Sequence, residues 1–357
     1  MTPEWKKSLR RRLLAWFAQH QRNLPWRQTA DPYAIWVSEI MLQQTQVATV
    51  IPYFQRFMSA FPTIAALAAA PEEQVLRLWE GLGYYRRARH LHQAAQRVVQ
   101  QFDGNFPSDV QSVRSLPGIG RYTAGAILSI AHNARLPILE ANTLRLYSRL
   151  LAFRSDPRSA AGQSQLWKAA ESWLPRKQVG QFNQALMELG SLICTPQAPR
   201  CSECPVSTLC QANQLGLQHE IPPPAKKQTF EDVHEAALIV HRRSRVLLLR
   251  QQDQGRWAGL WDFPRYRLST TGEAAHRHEL SQAIISSIGM EISLGPLLTT
   301  LKHGVTRFRI TLDCYSAQWI SGPDACPIKG SLKWVDPAQL SEYPLNSTGR
   351  KLCQWIG

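Results

Sequence analysis

Apolar residues change their spacing along this chain, and the change predicts two kinds of structure. Up to residue 210 they recur at helical spacing in stretches rich in Ala and Leu. Asp31-Pro32 is typical of a helix cap followed by proline at the first helical position, and it predicts a helix through about Phe57. Further helices are predicted at 64–80, 86–102, 121–132, 142–152, 163–173 and 181–193.

Beyond residue 230 the pattern favours strands. Stretches rich in Val, Ile, Leu and Thr alternate with turn residues. They predict one helix at 274–288 and strands at 233–241, 245–250, 294–302, 307–316 and 331–335. The proline-rich segment 221–230 is typical of a stiff, solvated linker. The sequence therefore predicts an all-α domain over 1–220 and an α+β domain over 231–357.

Composition narrows the class of protein. Of 357 residues, 44% are hydrophobic, enough for two or three domains with their own cores. The net charge of +15 favours a polyanionic partner, although charge alone equally fits a basic protein that binds no nucleic acid. No run reaches the ~18 apolar residues of a membrane span, and no signal peptide is evident. We expect a cytoplasmic protein that is not associated with a membrane.

Four of the seven cysteines share one short loop, 194–210: they are Cys194, Cys201, Cys204 and Cys210. Zinc ribbons usually have two close pairs separated by a longer span, whereas this loop has a single Cys-x2-Cys pair between wider gaps. The spacing favours one [4Fe–4S] cluster held by all four thiolates, with Arg200 available for a phosphate. A zinc ion and a disulfide knot remain alternatives, and the lack of a signal peptide disfavours the second.

Two glycines, Gly118 and Gly120, lie between helical patterns in the region 110–132. They let the backbone approach a ligand, and the helix that begins near Arg121 directs free N–H groups towards the same place. This arrangement favours phosphate binding, with an ordinary helix–helix turn as the alternative.

One acidic residue, Glu39, lies within an apolar stretch of the first predicted helix. An acid followed by amides at helical spacing is usually a solvated face. The neighbours of Glu39, however, are Ile35, Trp36, Val37 and Ile40, which places the carboxyl in or beside a buried stripe. A buried carboxyl has a raised pKa and can donate a proton at neutral pH.

A glycine-rich segment, Gly81–Arg89, carries two tyrosines and three arginines. Aromatic side chains such as Tyr84 can wedge into base stacks, and arginines such as Arg86 can hold phosphates. A packed aromatic turn before a basic helix is the alternative.

These segments together resemble the MutY family of adenine DNA glycosylases, within the helix-hairpin-helix superfamily of iron–sulfur glycosylases. The matching segments are Leu24–Arg27, Ser38–Val47, Leu116–Ala126 and the four-cysteine loop. The resemblance implies that the protein removes adenine paired with 8-oxoguanine or guanine from duplex DNA, in base excision repair. It also implies that Glu39 protonates the adenine ring. The same resemblance implies a monomeric protein of bacterial type that is associated with the nucleoid. The implied base-pocket and wedge residues are Arg27, Gln44, Tyr84 and Gln184, and the implied phosphate-binding residues are Gly118, Gly120 and Arg86.

Tyr122 separates two subfamilies of this superfamily. Bifunctional enzymes of the endonuclease III type have a lysine there, which forms a Schiff base with the abasic sugar. Tyrosine cannot form one, so the resemblance implies base removal without efficient strand cleavage. An endonuclease III-like pyrimidine glycosylase remains an alternative function.

The chain departs from the family at its second carboxylate. MutY enzymes have an Asp-Gly-Asn segment where this chain has Glu140-Ala141-Asn142. We expect Glu140 to take the role of the aspartate and to stabilise an oxocarbenium-like transition state. The implied catalytic set is then Glu39, Tyr122, Glu140 and Asn142. Because displacement by ~1 Å can cost ~10²-fold in rate, a DNA-binding protein with weak catalysis is an alternative.

The C-terminal segment Trp257–Pro264 resembles the Nudix-like domain of MutY. A Nudix hydrolase would need acidic metal ligands, but their positions hold Gln282, Ala283, Ser286 and Ser287, so we expect no metal or pyrophosphatase activity here. The family recognises 8-oxoguanine through a Phe-Ser-His loop that follows a histidine. The matching residues here are His303, Val305, Thr306 and Arg307, and an ordinary strand is the alternative.

Overall fold

The computed structural model describes residues 1–225, 229–251, 256–270, 272–323 and 332–356. The chain forms two compact units, one of Met1–Ala69 with His90–Lys226 and one of Ala70–Arg89 with Lys227–Gly357. The predicted change from a helical half to an α+β half is confirmed. One segment differs from the predicted division at 1–220, because Ala70–Arg89 packs with the second unit. Within the predicted linker 221–230, residues 226–228 lie outside the described part.

The helices of the first half, with α5 in the second unit, are α1 (Pro3–His20), α2 (Pro32–Leu42), α3 (Val47–Ala60), α4 (Ile64–Ala69), α5 (Glu72–Trp79), α6 (Arg86–Phe102), α7 (Val110–Ser115), α8 (Arg121–His132), α9 (Ala141–Leu150), α10 (Ala160–Trp173), α11 (Val179–Leu192) and α12 (Gln211–Gln214). The predicted helices at 86–102 and 121–132 are confirmed to the residue. Helix α1 was not among the predicted segments. No described helix has the length and apolar character that a membrane crossing requires.

Two predicted helices are broken in the structure. The helix expected from Asp31 to Phe57 ends at Leu42 and restarts at Val47, because Gln44 adopts a left-handed backbone conformation with φ +59°. The helix expected over 64–80 divides at Pro71, which lacks the N–H that a helix interior needs.

Close contacts between helices set the positions of the pocket residues in the first unit. Helix α2 is apolar on all sides and is buried from Tyr33 to Met41, as such a helix must be. Helices α8 and α11 approach closely at Gly180, where a Cβ would lie 2.4 Å from the Ser129 carbonyl oxygen. The hydrophobic core joins α1, α9, α10 and α11, with Trp173 and Phe182 among its largest buried side chains.

The described residues of the second unit form a seven-stranded sheet. Its strands are β1 (Glu231–Arg242), β2 (Arg245–Arg250), β3 (Trp261–Asp262), β4 (Arg265–Arg267), β5 (Glu291–Val305), β6 (Phe308–Ser321) and β7 (Leu332–Val335). Strands β1 and β6 are parallel, and the other pairs are antiparallel. Helix α13 (Glu273–Ile288) covers one face, and residues from Leu340 to α14 (Ser347–Leu352) cover the other.

The predicted strands are confirmed except at their ends, and the short strands β3 and β4 were not predicted. Residue 331, the predicted start of the last strand, lies outside the described residues. The expected lesion-recognition loop is shorter than predicted. Val305 pairs directly with Phe308, so that only Thr306 and Arg307 form the turn of a long hairpin.

Candidate active site

A cavity of about 480 Å³ opens in the first unit among α2, α8, α11 and the start of α9. It brings together residues that are far apart in sequence, and its lining includes Arg22, Trp26, Arg27, Ser38, Glu39, Tyr122, Glu140, Asn142, Gln184, Met187 and Glu188. Six of the predicted site residues therefore meet in one cavity: Arg27, Glu39, Tyr122, Glu140, Asn142 and Gln184.

Glu39 is 6% exposed on the wall of this cavity. Burial raises the pKa of its carboxyl to about 7, and the charge of Glu140 adds to the rise, while Tyr122 and Arg27 partly offset it. The Tyr122 hydroxyl donates a hydrogen bond to Oε2 at 2.8 Å. The other oxygen, Oε1, makes no hydrogen bond to the described residues and is available to hold a proton. The arrangement can supply a proton at neutral pH.

Tyr122 stays a hydrogen-bond donor in this setting. Burial raises its pKa well above the ordinary value, and the two nearby carboxylates of Glu39 and Glu140 raise it further. Its hydroxyl also lies 3.4 Å from the Met187 sulfur, on α11. Tyr122 thus holds the Glu39 carboxyl in one orientation.

Glu140 occupies the N-cap of α9. Its carboxylate accepts hydrogen bonds from the backbone N–H of Asn142 and of Thr143, both at 2.8 Å, and from the Asn142 side-chain amide at 3.2 Å. The Glu140 N–H in turn donates to the Thr143 hydroxyl at 2.8 Å, which completes a capping box. Shorter side chains, aspartate among them, usually hold this position. The longer side chain therefore reaches back to the helix end, and its carboxylate is fixed and not left mobile.

Arg27 belongs to a cluster of ion pairs that lines the cavity. The Glu188 carboxylate accepts from Arg27 at 2.8 Å and from the Arg22 Nε at 2.8 Å. Burial alone would raise the pKa of Glu188, but the two guanidinium groups outweigh it and hold the pKa at about 2. Sequence analysis missed Arg22, and no sequence signal pairs it with a carboxylate 166 residues away.

Two of the residues predicted for the base pocket or the DNA wedge, Gln44 and Tyr84, do not line this cavity. Gln44 is exposed and does not line the cavity, because its left-handed backbone breaks the helix that carries Glu39. Tyr84 belongs to the second unit, where it is 54% exposed with φ +49°. The guanidinium of Arg87 lies 5.5 Å from the Tyr84 ring centre. Arg86 is exposed at the start of α6.

The two glycines before α8 differ in their surroundings. Gly118 has φ +78°, and a Cβ there would lie 2.9 Å from the Cβ of His90. Gly120 is the N-cap of α8 and makes no side-chain cap bond, and a Cβ there would meet nothing within 4 Å. Gly120 and Arg121 are both exposed, so the helix start itself lies at the surface of the protein.

The four clustered cysteines line a second cavity in the first unit, with Arg149 beside them. The Arg149 guanidinium lies 3.2 Å from the Cys194 sulfur. Burial and the neighbouring sulfurs raise the pKa of Cys204 to about 12, despite one backbone N–H that lowers it. Convergent thiols with a cation beside them fit a group that binds thiolates. Among the described residues, no three His, Cys, Asp or Glu side chains are placed to hold a single ion. Arg200, expected to be available for a phosphate, pairs with Glu203 at 2.9 Å on the surface.

The predicted lesion-recognition residues share the β5–β6 hairpin. Both ring nitrogens of His303 are buried and make no hydrogen bond to the described residues. Thr306 is exposed with φ +53°, and its hydroxyl donates to the Val305 carbonyl at 2.7 Å. Arg307 is exposed, with its guanidinium 5.1 Å from the Phe308 ring. Thr306 and Arg307 therefore stand at the hairpin tip, and His303 lies further back on β5, partly buried.

On α13, the positions where a Nudix hydrolase would have its acidic ligands carry polar or small side chains. The Ser286 hydroxyl donates to the Gln282 carbonyl at 2.6 Å, and the Ser287 hydroxyl lies 2.7 Å from the Tyr266 hydroxyl.

Known proteins share both halves of this architecture. Residues 37–172 match the model of the HhH-GPD superfamily of base excision DNA repair proteins, and residues 235–355 match the NUDIX domain model. An adenine DNA glycosylase of Rattus norvegicus is 34% identical over 97% of this chain and 77% of its own length. An adenine DNA glycosylase of Buchnera aphidicola subsp. Baizongia pistaciae is 38% identical over 71% of this chain and 72% of its own. The solved structure of a thermostable thymine-DNA glycosylase superposes with a TM-score of 0.55 at 26% identity, over 59% of this chain and 98% of that one. The chain therefore belongs to the MutY family of adenine DNA glycosylases, with a helix-hairpin-helix domain and a Nudix-like domain.

Proposed function

We propose that this protein excises adenine paired with 8-oxoguanine or guanine from duplex DNA, as a monofunctional glycosylase of base excision repair. Membership of the family supports DNA binding and adenine excision. The observation that carries the mechanism is the pair of carboxyl groups in one cavity, Glu39 and Glu140, in unlike environments. Two carboxyl groups in unlike environments can serve at the same pH as a proton donor and as an anion.

Catalysis begins when adenine leaves the base stack, which costs less for a mispaired base. Glu39 then donates its proton from Oε1 to the adenine ring, so that the base departs as a neutral molecule. The positive charge left on the sugar is stabilised by the fixed carboxylate of Glu140. Water then adds to the sugar cation, and the proton that it loses returns to the Glu39 carboxylate.

The base is selected by Gln184 and Arg27, which also line the cavity. Adenine offers an exocyclic amino group as donor and ring nitrogens as acceptors. The amide of Gln184 can both donate to the ring nitrogens and accept from the amino group. Arg27, held by Glu188, supplies a further donor.

A single-turnover assay tests the function. On duplexes with adenine opposite 8-oxoguanine, we expect abasic product that is cleaved only after alkali, because Tyr122 cannot form a Schiff base. Product from oxidised pyrimidines, with none from adenine, would instead indicate an endonuclease III-like enzyme. Tight, salt-sensitive binding without turnover would favour the lesion-binding alternative.

We propose that Cys194, Cys201, Cys204 and Cys210 hold one [4Fe–4S] cluster. When bound, such a cluster supplies structural support next to α9 and α11. Purified protein should be brown, absorb near ~400 nm and contain about four irons per chain. Cys204→Ser should lose iron, whereas Cys353→Ser, outside the loop, should retain it. Stoichiometric zinc without iron would reject the cluster.

Lesion selectivity is proposed to come from the hairpin, through Thr306 with Arg307 and His303. Thr306→Ala should reduce the preference for adenine opposite 8-oxoguanine over guanine by the equivalent of ~1–3 kcal/mol, and Thr306→Ser should keep it. Arg307→Ala should weaken binding to all duplexes alike and lower the salt slope by about one. Equal preference in Thr306→Ala and the parent protein would show that this hydroxyl does not recognise the lesion.

A further inference from the structure

Helix α5 precedes the loop that carries Tyr84. Acidic side chains on and just after this helix bond to the C-terminal part of the second unit. Glu73 on α5 accepts a hydrogen bond from the Trp261 indole at 2.8 Å. Glu80, immediately after α5, accepts two from the Arg350 guanidinium, at 2.7 and 3.0 Å. The Glu80 side chain is 9% exposed and that of Arg350 is 29% exposed, so this pair is better shielded than an ordinary surface pair.

One buried residue, Leu345, connects both ends of the loop that follows. Its N–H donates to Glu80 at 3.2 Å, and its carbonyl accepts from the Tyr85 hydroxyl at 3.4 Å. The same tyrosine hydroxyl accepts from the Gly81 N–H at 3.4 Å. The two ends of the loop 81–84 are therefore fixed to one point of the second unit.

The backbone of the loop 81–84 adopts left-handed conformations. Gly81, Gly83 and Tyr84 all have positive φ, at 98°, 70° and 49°. A left-handed conformation costs a residue with a side chain roughly 1–2 kcal/mol. The Gly83 carbonyl is held from inside by the Trp79 indole at 3.2 Å and by the Arg87 guanidinium at 3.2 Å. Tyr84 remains 54% exposed at the tip.

We infer that Glu80 and Arg350 are positioning residues, which hold the Tyr84 loop in the conformation that meets DNA. The Nudix-like unit then contributes to base extrusion as well as to lesion recognition. This inference rests on the proposed function only in assigning Tyr84 to the DNA interface. The placement of the loop by Glu80, Leu345 and Arg350 is independent of it.

The test combines hydrogen exchange with kinetics. Glu80→Gln should speed amide exchange across residues 81–85, and Tyr85→Phe, a milder change, should do so to a smaller extent. Single-turnover excision should fall about 10- to 100-fold in Glu80→Gln, as for a misplaced catalytic element. In a Tyr84→Ala background, Glu80→Gln should cause no further loss, because both changes act through the same side chain. Arg350→Lys should restore part of what Arg350→Ala loses.

The matched control is Glu273→Gln, which removes the exposed pair with Arg277 on α13 of the same unit. It should change neither exchange nor rate. Unchanged exchange at 81–85 in both Glu80→Gln and Tyr85→Phe would overturn the inference, even if adenine excision is intact. Additive losses with Tyr84→Ala would also overturn it. If the parent protein does not excise adenine at all, the exchange result still decides the placement of the loop, so the two failures are distinguishable.

Discussion

Replacing Glu39 with glutamine should lower the single-turnover rate of adenine excision by about 10³-fold, while DNA binding stays nearly unchanged. Glutamine keeps the shape of the side chain and can still accept from Tyr122, but it has no proton to give the adenine ring. Loss of a positioned acid typically costs ~10²–10⁴-fold. Gel-shift affinities on the same duplexes separate binding from chemistry.

The pH dependence of the parent protein should follow the same group. Because the free protein holds the Glu39 proton up to a pKa of about 7, the rate at limiting DNA should be level below that pH and fall about tenfold per unit above it. Tyr122→Phe removes a hydrogen bond that lowers the pKa of Glu39, so it should move the falling limb to higher pH. A profile that is level from pH 6 to 9 in the parent would contradict the assignment of Glu39 as the acid.

Glu39→Gln should also change stability. The folded protein retains the proton to about pH 7, whereas the unfolded chain releases it near the ordinary value of 4.5. The free energy of unfolding of the parent should therefore fall as pH rises through that interval. At pH 8 the variant should be more stable, by up to roughly 3 kcal/mol, and at pH 4 the difference should vanish. Denaturant titrations at the two pH values measure it.

Glu140→Gln should lower the excision rate by about 10²–10³-fold, because it removes the anion that stabilises the developing sugar cation. It should also destabilise the fold by about 1 kcal/mol, since the Asn142 and Thr143 N–H groups lose a charged cap. Glu140→Asp should keep the rate within about tenfold, because aspartate reaches the same N–H groups from a shorter side chain.

An aspartate at position 140 also distinguishes a glycosylase from a DNA-binding protein with weak catalysis. If Glu140→Asp with Ala141→Gly excises adenine far faster than the parent, then the natural glutamate impairs catalysis and the parent mainly binds lesions. Equal rates in Glu140→Gln and the parent would show that this carboxylate takes no part in the reaction. Glu171→Gln, on α10 and outside the cavity, controls for loss of charge.

Local patterns predicted the secondary-structure elements and the burial of Glu39. The continuous apolar run around Glu39 predicted its burial, because a helix that is apolar on every side has no face left for water. Helices such as Arg86–Phe102 carried enough periodic residues to be placed to the residue. The break at Gln44 was missed, since nothing in Gln-Gln-Thr-Gln excludes a helix. Its left-handed backbone is set by the surrounding fold.

Contacts between distant residues were beyond sequence analysis. The cluster of Glu188 with Arg22 joins positions 166 residues apart, and a single chain gives no sign of such a pair. The capping role of Glu140 was hidden for a different reason. Glutamate is uncommon at that position, so the pattern suggested a displaced carboxylate and not one that folds back onto the helix end. The assignment of Ala70–Arg89 to the second unit was missed because its composition matches the helices around it.

That discontinuous unit has a consequence for synthesis of the chain on the ribosome. Glu80 emerges about 270 residues before Arg350, a delay of roughly 15–50 s at ~5–20 residues per second. During that time Glu80 lacks the Arg350 guanidinium, and the loop 81–84 lacks the contacts that Leu345 makes at both of its ends. The last contacts that hold this loop therefore form only at the end of translation, although the loop is encoded in the first quarter of the message.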